Sequence, residues 1–242
     1  MDNLIIYLLL FASAIIGGAI VLVFKIENTS WLKLILSFSG AFLLSISILH
    51  LLPEVYAIGN TSIGYYILLG FVIQIILEQF SRGIEHGHFH VHDHQAGLPI
   101  GIMLSLCVHS LLEGLPLSHD HGDGHNVSVN SLLIGIVLHK IPAAFALMSV
   151  LTHNKVSRNT MYLLLFIFAC MSPLGVALND FLGSELGLNT EIYMARILAL
   201  VLGLLLHIST TILFESSNNH RFGFIKIVSI LLGLGMGMLT IH

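Results

Sequence analysis

Two short stretches carry residue types suited to holding a metal ion: His109-Ser110-Leu111-Leu112-Glu113-Gly114 and His139-Lys140-Ile141-Pro142. Imidazole nitrogens and carboxylate oxygens are the donors that zinc-type cations take. His109 and Glu113 are four positions apart, about 6 Å of rise and nearly one full turn of a helix, so both project from one face. Ser110 lies about 100° further round, adjacent but off that axis. His139 stands at comparable depth on the next apolar segment. Three donors of N, N and O type leave a coordination position open, and open sites let metal exchange or react where closed four-ligand sites hold it structurally. Zinc, ferrous iron, manganese and nickel all suit this donor set, and affinity order does not choose among them.

Both stretches lie near the middle of segments long and apolar enough to cross a bilayer, where ionisable side chains are costly and mark function. The chain has 242 residues, 56% hydrophobic and 9% charged, against about 25% charged in soluble domains. A crossing helix needs about 20 mostly apolar residues. Eight segments qualify: 4–24, 31–52, 62–80, 98–117, 128–152, 160–180, 193–214 and 222–241. Together they predict an all-α membrane protein, one integral membrane domain over 1–242. The net charge of −4 comes with no basic patch for nucleic acid. Cys107 and Cys170 both fall inside apolar segments and predict no disulfide framework.

With eight spans, Lys25, Lys33, Arg82, Lys155, Arg158, Arg221 and Lys226 all fall on one side, while Glu54, Asp120, Asp123, Asp180, Glu185 and Glu191 fall on the other, together with Arg196. The positive-inside rule assigns the lysine-rich side to the cytoplasm and both termini to the outside. The expected location is the cell membrane, multi-pass, which in a bacterium is the inner membrane.

Fifteen histidines set the functional question. A cytoplasmic loop, 81–97, carries His86, His88, His90, His92 and His94, and an outer loop, 118–127, carries His119, Asp120, His121, Asp123 and His125. Tracts of this composition read as metal-capturing. His50 and Glu54 at the outer end of the second span, and His207 in the inner half of the seventh, place further candidate ligands along a path through the membrane. Glu78 and Glu215 mark inner ends. Lys140 cannot ligate metal while protonated. It is read either as a salt-bridge partner of Glu113 or as a fixed charge in the place of a second cation. Pro142, Pro116 and Pro173 each remove an amide donor, freeing the carbonyls of Leu138, Leu112 and Ala169. Irregular backbone at membrane depth is tolerated where it lines a cavity, and broken helices mark transporter sites. A G-x-x-x-G at Gly233 and Gly237 favours close helix packing.

These motifs resemble those of the ZIP (Zrt/Irt-like) metal transporters. His109 to Gly114 is similar to that family's H-[NS]-x-x-[DE]-G, and His139 to Pro142 to its H-x-x-P. His50-Leu51-Leu52-Pro53-Glu54 and Pro173-Leu174-Gly175 also resemble family patterns. The resemblance implies a ZIP-like bundle in which helices 1–3 and 6–8 form an inverted repeat around helices 4 and 5. It implies inward movement of zinc, with Fe²⁺, Mn²⁺, Ni²⁺ or Cd²⁺ as other cargoes, no prosthetic group, and a homodimer. Many relatives carry carboxylates where this chain has Lys140, Ala143 and Ser172, so a single metal on His109, Glu113 and His139 is expected, with Ser110 and Lys140 at the second-metal position. An intramembrane zinc-dependent hydrolase is the alternative, but no H-E-x-x-H occurs. No phosphate-binding G-x-x-x-x-G-K-[ST] loop occurs either, which argues against direct use of ATP.

Overall fold

The computed structural model describes residues 3–24, 30–59, 62–81, 100–117, 126–186, 191–215 and 223–240, and the described residues are helical almost throughout, with no strand among them. The helices are α1 (Asn3–Phe24), α2 (Ser30–Ile46), α3 (Leu52–Ile58), α4 (Ile63–Ser81), α5 (Ile100–Gly114), α6 (Asn126–His153), α7 (Arg158–Leu186), α8 (Glu191–Glu215) and α9 (Phe224–Leu239). A π-helical turn, Ser47–Leu51, joins α2 to α3 in one rod, so eight rods result. Seven of them are long and apolar enough to cross a membrane, and α9 is a shorter apolar helix. At 16 residues α9 rises about 24 Å, short of a hydrocarbon core of about 30 Å.

Each of the eight expected spans is helical, with shifted ends, and seven reach spanning length. The second runs on to Ile58 and the sixth to Leu186. The helices were expected to break at proline, yet α6 and α7 run uninterrupted through Pro142 and Pro173. Core packing holds the turn at Pro142, where Ala143 to Met148 are buried; at Pro173 one side of the helix packs on the core through Ser172 and Val176 while Leu174 is exposed. Pro116 instead lies in the 3₁₀ turn that follows α5. The marked irregularity falls before Pro53, where the Leu52 amide reaches back five residues to the Ser47 carbonyl. Proline cannot donate to the preceding turn, and the wider turn takes up the missing bond.

The packing has an internal two-fold logic. α1 packs on α6 as α7 packs on α5, and α4 packs on α8 as α9 packs on α2/α3. Exchanging α1, α2/α3 and α4 with α7, α8 and α9, and α5 with α6, maps these contacts onto themselves. Close approaches repeat under the same exchange. A Cβ on Gly17 would strike the Ile141 carbonyl, and one on Gly175 the Leu111 carbonyl, each two residues past a candidate histidine ligand. Likewise Gly70 meets the Leu200 carbonyl and Gly233 the Phe38 carbonyl. Glycine at these points lets backbones touch, which is how membrane helices associate where apolar burial gives little drive. Paired odd and even spans run in opposite directions, so the repeat is inverted.

The apolar core divides into two layers. One includes Leu10, Ile46, Leu133, Ile136 and Val176, the other Ala14, Leu36, Leu106, Ala143 and Ala169. Helices α1, α5, α6 and α7 each pass from one layer into the other. On α5 the crossing falls at His109, on α6 at His139 and Lys140, and on α7 at Ser172. The fold therefore sets His109, His139, Lys140 and Ser172 in a belt at mid-depth.

Candidate metal site

Neighbouring helices α5 and α6 supply the donors. His109, Glu113 and His139 bring one ligand atom each to within 4.8 Å of one another, and all three residues are at most 3% exposed. The imidazole of His109 meets the Glu113 carboxylate through Nε2 and Oε1 at 3.0 Å, as spacing by four on a helix requires. The two imidazole rings stand edge to face, with centroids 6.2 Å apart. Ligand atoms on a tetrahedral zinc lie about 3.3 Å apart, given bonds near 2.0–2.1 Å. Among the described residues this is the sole cluster of three or more histidine, cysteine or acidic side chains within metal-binding reach.

Beside the triad lies a second polar group of different character. Lys140 is 1% exposed, and its ammonium donates to the hydroxyls of Ser110 and Ser172. Ser172 in turn donates to the Ser110 carbonyl at 2.7 Å. The Phe168 ring lies 4.9 Å from the ammonium, at cation–π distance. Of the two readings of Lys140, the salt bridge to Glu113 is not formed. Glu113 is turned along α5 to His109, while Ser110, about 100° round the helix, faces α7 and takes the lysine. A buried ammonium needs its protons satisfied, and two hydroxyls and a ring face do so without a direct ion pair.

The other sequence candidates stand apart from the triad. His50 lies on the π-turn of the second rod, and both of its ring nitrogens are buried without a hydrogen-bond partner. His207 on α8 bonds through Nε2 to Oε2 of Glu78 on α4 at 2.5 Å and packs edge-on against Phe71. The loop residues His86, His88, His90, His92, His94, His119, Asp120, His121, Asp123 and His125 lie outside the described residues. Arg196, the basic residue on the acidic side, stacks over the Tyr66 ring at 5.5 Å, an interaction suited to a guanidinium at a membrane interface.

Sequence spacing did not join Lys140 to Ser172, 32 positions away, or His207 to Glu78, 129 positions away. No spacing rule reaches that far. The one available signal was that each of these polar residues lies in an apolar span and needs a partner there.

Comparison with known proteins agrees with this geometry. Residues 95–241 match the family described as ZIP zinc transporter, a stretch that holds both site helices. Protein zntD of Dictyostelium discoideum is 28% identical over 172 residues, covering 66% of this chain and 25% of that protein. Zinc transporter ZIP9 of Micropogonias undulatus is 32% identical over 127 residues, 51% of this chain and 40% of the relative. Zinc transporter ZIP9-B of Xenopus laevis is 32% identical over 117 residues, 46% and 37% respectively. The chain thus spans between a quarter and two fifths of the length of these relatives. With the family match covering more than half of the sequence, on helices that carry a buried His-His-Glu cluster, the chain belongs to the ZIP zinc transporter family.

Proposed function

We propose that this protein moves a divalent transition-metal cation, zinc first, across the membrane through one site formed by His109, Glu113 and His139. The observation that carries the reading is the convergence of those three donors, fully buried, at mid-depth between two apolar layers. A carboxylate and two imidazoles offset the loss of hydration, and the position left open lets water or the next ligand take the ion away. Ser110, Ser172 and Lys140 occupy the space beside the triad and limit it to one metal. Ferrous iron, manganese, nickel and cadmium fit the same donors less selectively.

Orientation follows from charge. The side holding Lys33, Lys155 and Arg158 is cytoplasmic by the positive-inside rule, and movement of cargo toward it rests on the likeness to the ZIP family. His50, with buried ring nitrogens and no hydrogen-bond partner, lies on the outer approach. Histidine tracts at 81–97 and 118–127 collect and receive metal on the two faces. Family membership favours transport over the hydrolase alternative.

Reconstituted wild-type protein in liposomes with a trapped zinc indicator is expected to give zinc influx above that of protein-free vesicles. Insertion is scored for orientation. Absence of influx from folded, correctly inserted protein would refute the reading, and lipid or peptide hydrolysis by that protein would replace it.

A further inference from the structure

Lys226 and Lys33 stand together at a place where packing does not call for them. Lys226, in the first turn of α9, is 8% exposed and donates at 3.2 Å to the carbonyl of Leu213, in the last turn of α8. Ser229, one turn on, donates at 2.8 Å to the carbonyl of Leu34 on α2, which sets Lys226 level with Lys33. The two ammonium groups are within Coulombic reach of each other, and like charges so placed repel. The fold's own symmetry supplies a comparison. Counted from the matched crossings, Gly233 on the Phe38 carbonyl and Gly70 on the Leu200 carbonyl, Ile63 corresponds to Lys226 and Ala195 to Lys33. Both are buried, so an apolar pair closes the equivalent place on the acidic side. A lysine pair at the edge of an apolar bundle is costly to keep, and an anion shared by the two turns repulsion into attraction.

We propose that Lys33 and Lys226 hold the phosphate of an anionic phospholipid between α2 and α9, on the lysine-rich side. Basic positions between membrane helices suit such headgroups. Space is open beside them: a Cβ on Gly223, just before α9, would meet nothing within 4 Å among the described residues. An acyl chain has a track there as well. Ile225, Leu232 and Met236, seven and four positions apart, share one flank of α9 next to Lys226, and all three are exposed. That track favours a lipid over free phosphate. The 16 residues of α9 are short for the bilayer, and a short helix draws headgroups inward to its ends. A zwitterionic lipid would bring a third ammonium to the two already there, so the position selects net negative charge.

The test is native mass spectrometry of the detergent-solubilised protein, titrated with phosphatidylglycerol or with phosphatidylcholine of the same acyl chains. The wild type is expected to bind one phosphatidylglycerol molecule about fivefold or more tighter than phosphatidylcholine. Loss of either charge, in Lys33→Gln or Lys226→Gln, should weaken that binding about fivefold. Lys33 is only partly buried, so its variant keeps the test decisive should Lys226→Gln fail to fold. Lys155→Gln, which removes an exposed lysine on the same side, should bind as the wild type does. Equal affinity for the two lipids, wild-type affinity in Lys33→Gln, or an equal loss in Lys155→Gln would each overturn the proposal. Thermal unfolding gives a second readout. Phosphatidylglycerol should raise the Tm of the wild type more than that of Lys33→Gln, and inorganic phosphate should not raise it. Stabilisation by inorganic phosphate equal to that by the lipid would overturn the lipid assignment. None of these readouts depends on metal transport, so their failure and that of the transport reading are separate.

Discussion

His139→Ala protein is expected to give zinc influx no greater than that of empty vesicles. His139 is the one ligand that α6 contributes, at 1% exposure, and its ring lies 6.2 Å from that of His109. Its removal leaves one imidazole and one carboxylate on a single helix, a pair already bonded to each other at 3.0 Å. Affinity at the central site should then fall by about a hundredfold or more, beyond the 10–100-fold that follows loss of a ligand's supporting partner alone. His139→Gln separates ligation from packing, because it keeps polar volume in the same place. It should bind weakly and transport poorly while folding as the wild type does. The check is zinc influx together with monodispersity of each variant. Influx at the wild-type rate from either variant would remove His139 from the site.

The second large effect is expected at Lys140. Its ammonium sits beside the triad, held by Ser110 and Ser172 rather than by Glu113. It thus adds a positive charge without a direct ion-pair partner next to the place where a divalent cation must bind, and like charges there repel more strongly than in water. Lys140→Met keeps the length and apolar stem of the side chain and removes the charge. Zinc should bind the central site about tenfold more tightly or better, about 1.4 kcal/mol or more. Turnover should slow in consequence, because an ion held more tightly leaves more slowly. The reverse change of charge, Lys140→Glu, should admit a second ion beside the first. Equilibrium binding and influx measured on the same preparation decide the matter. Weaker binding by Lys140→Met would show that the lysine orders the site through its serines instead of opposing the cargo.

The legible part of this protein is what local periodicity governs. His109 and Glu113 could be placed on one face because a helix turns by a fixed angle. His139 could be placed at their depth because span length fixes depth. The eight rods followed from apolar run length. Errors arose where distant helices decide. The Lys140–Glu113 bridge was a reasonable pairing of opposite charges, yet Glu113 is committed along its own helix to His109. Ser110, off-axis by spacing and set beside Lys140 only by resemblance, faces the α7 helix and the lysine. Proline showed the same limit. Its missing donor was sought at Pro142, but the core packs α6 straight through it, and the backbone opens instead into a π-turn ahead of Pro53. The inverted repeat was implied only by resemblance. Its physical trace, glycines meeting carbonyls at matched crossings, belongs to tertiary packing.

The central claim is that one metal ion sits among His109, Glu113 and His139 at mid-membrane. An anomalous difference map recorded at the zinc absorption edge, from crystals of the zinc-loaded protein, tests it most directly. The account predicts a peak bonded to both imidazoles and the carboxylate, at about 2.0–2.2 Å, and none beside the Lys140 ammonium. Zinc bound elsewhere with no density between the three donors, or a peak in the Lys140–Ser110–Ser172 group, would contradict it.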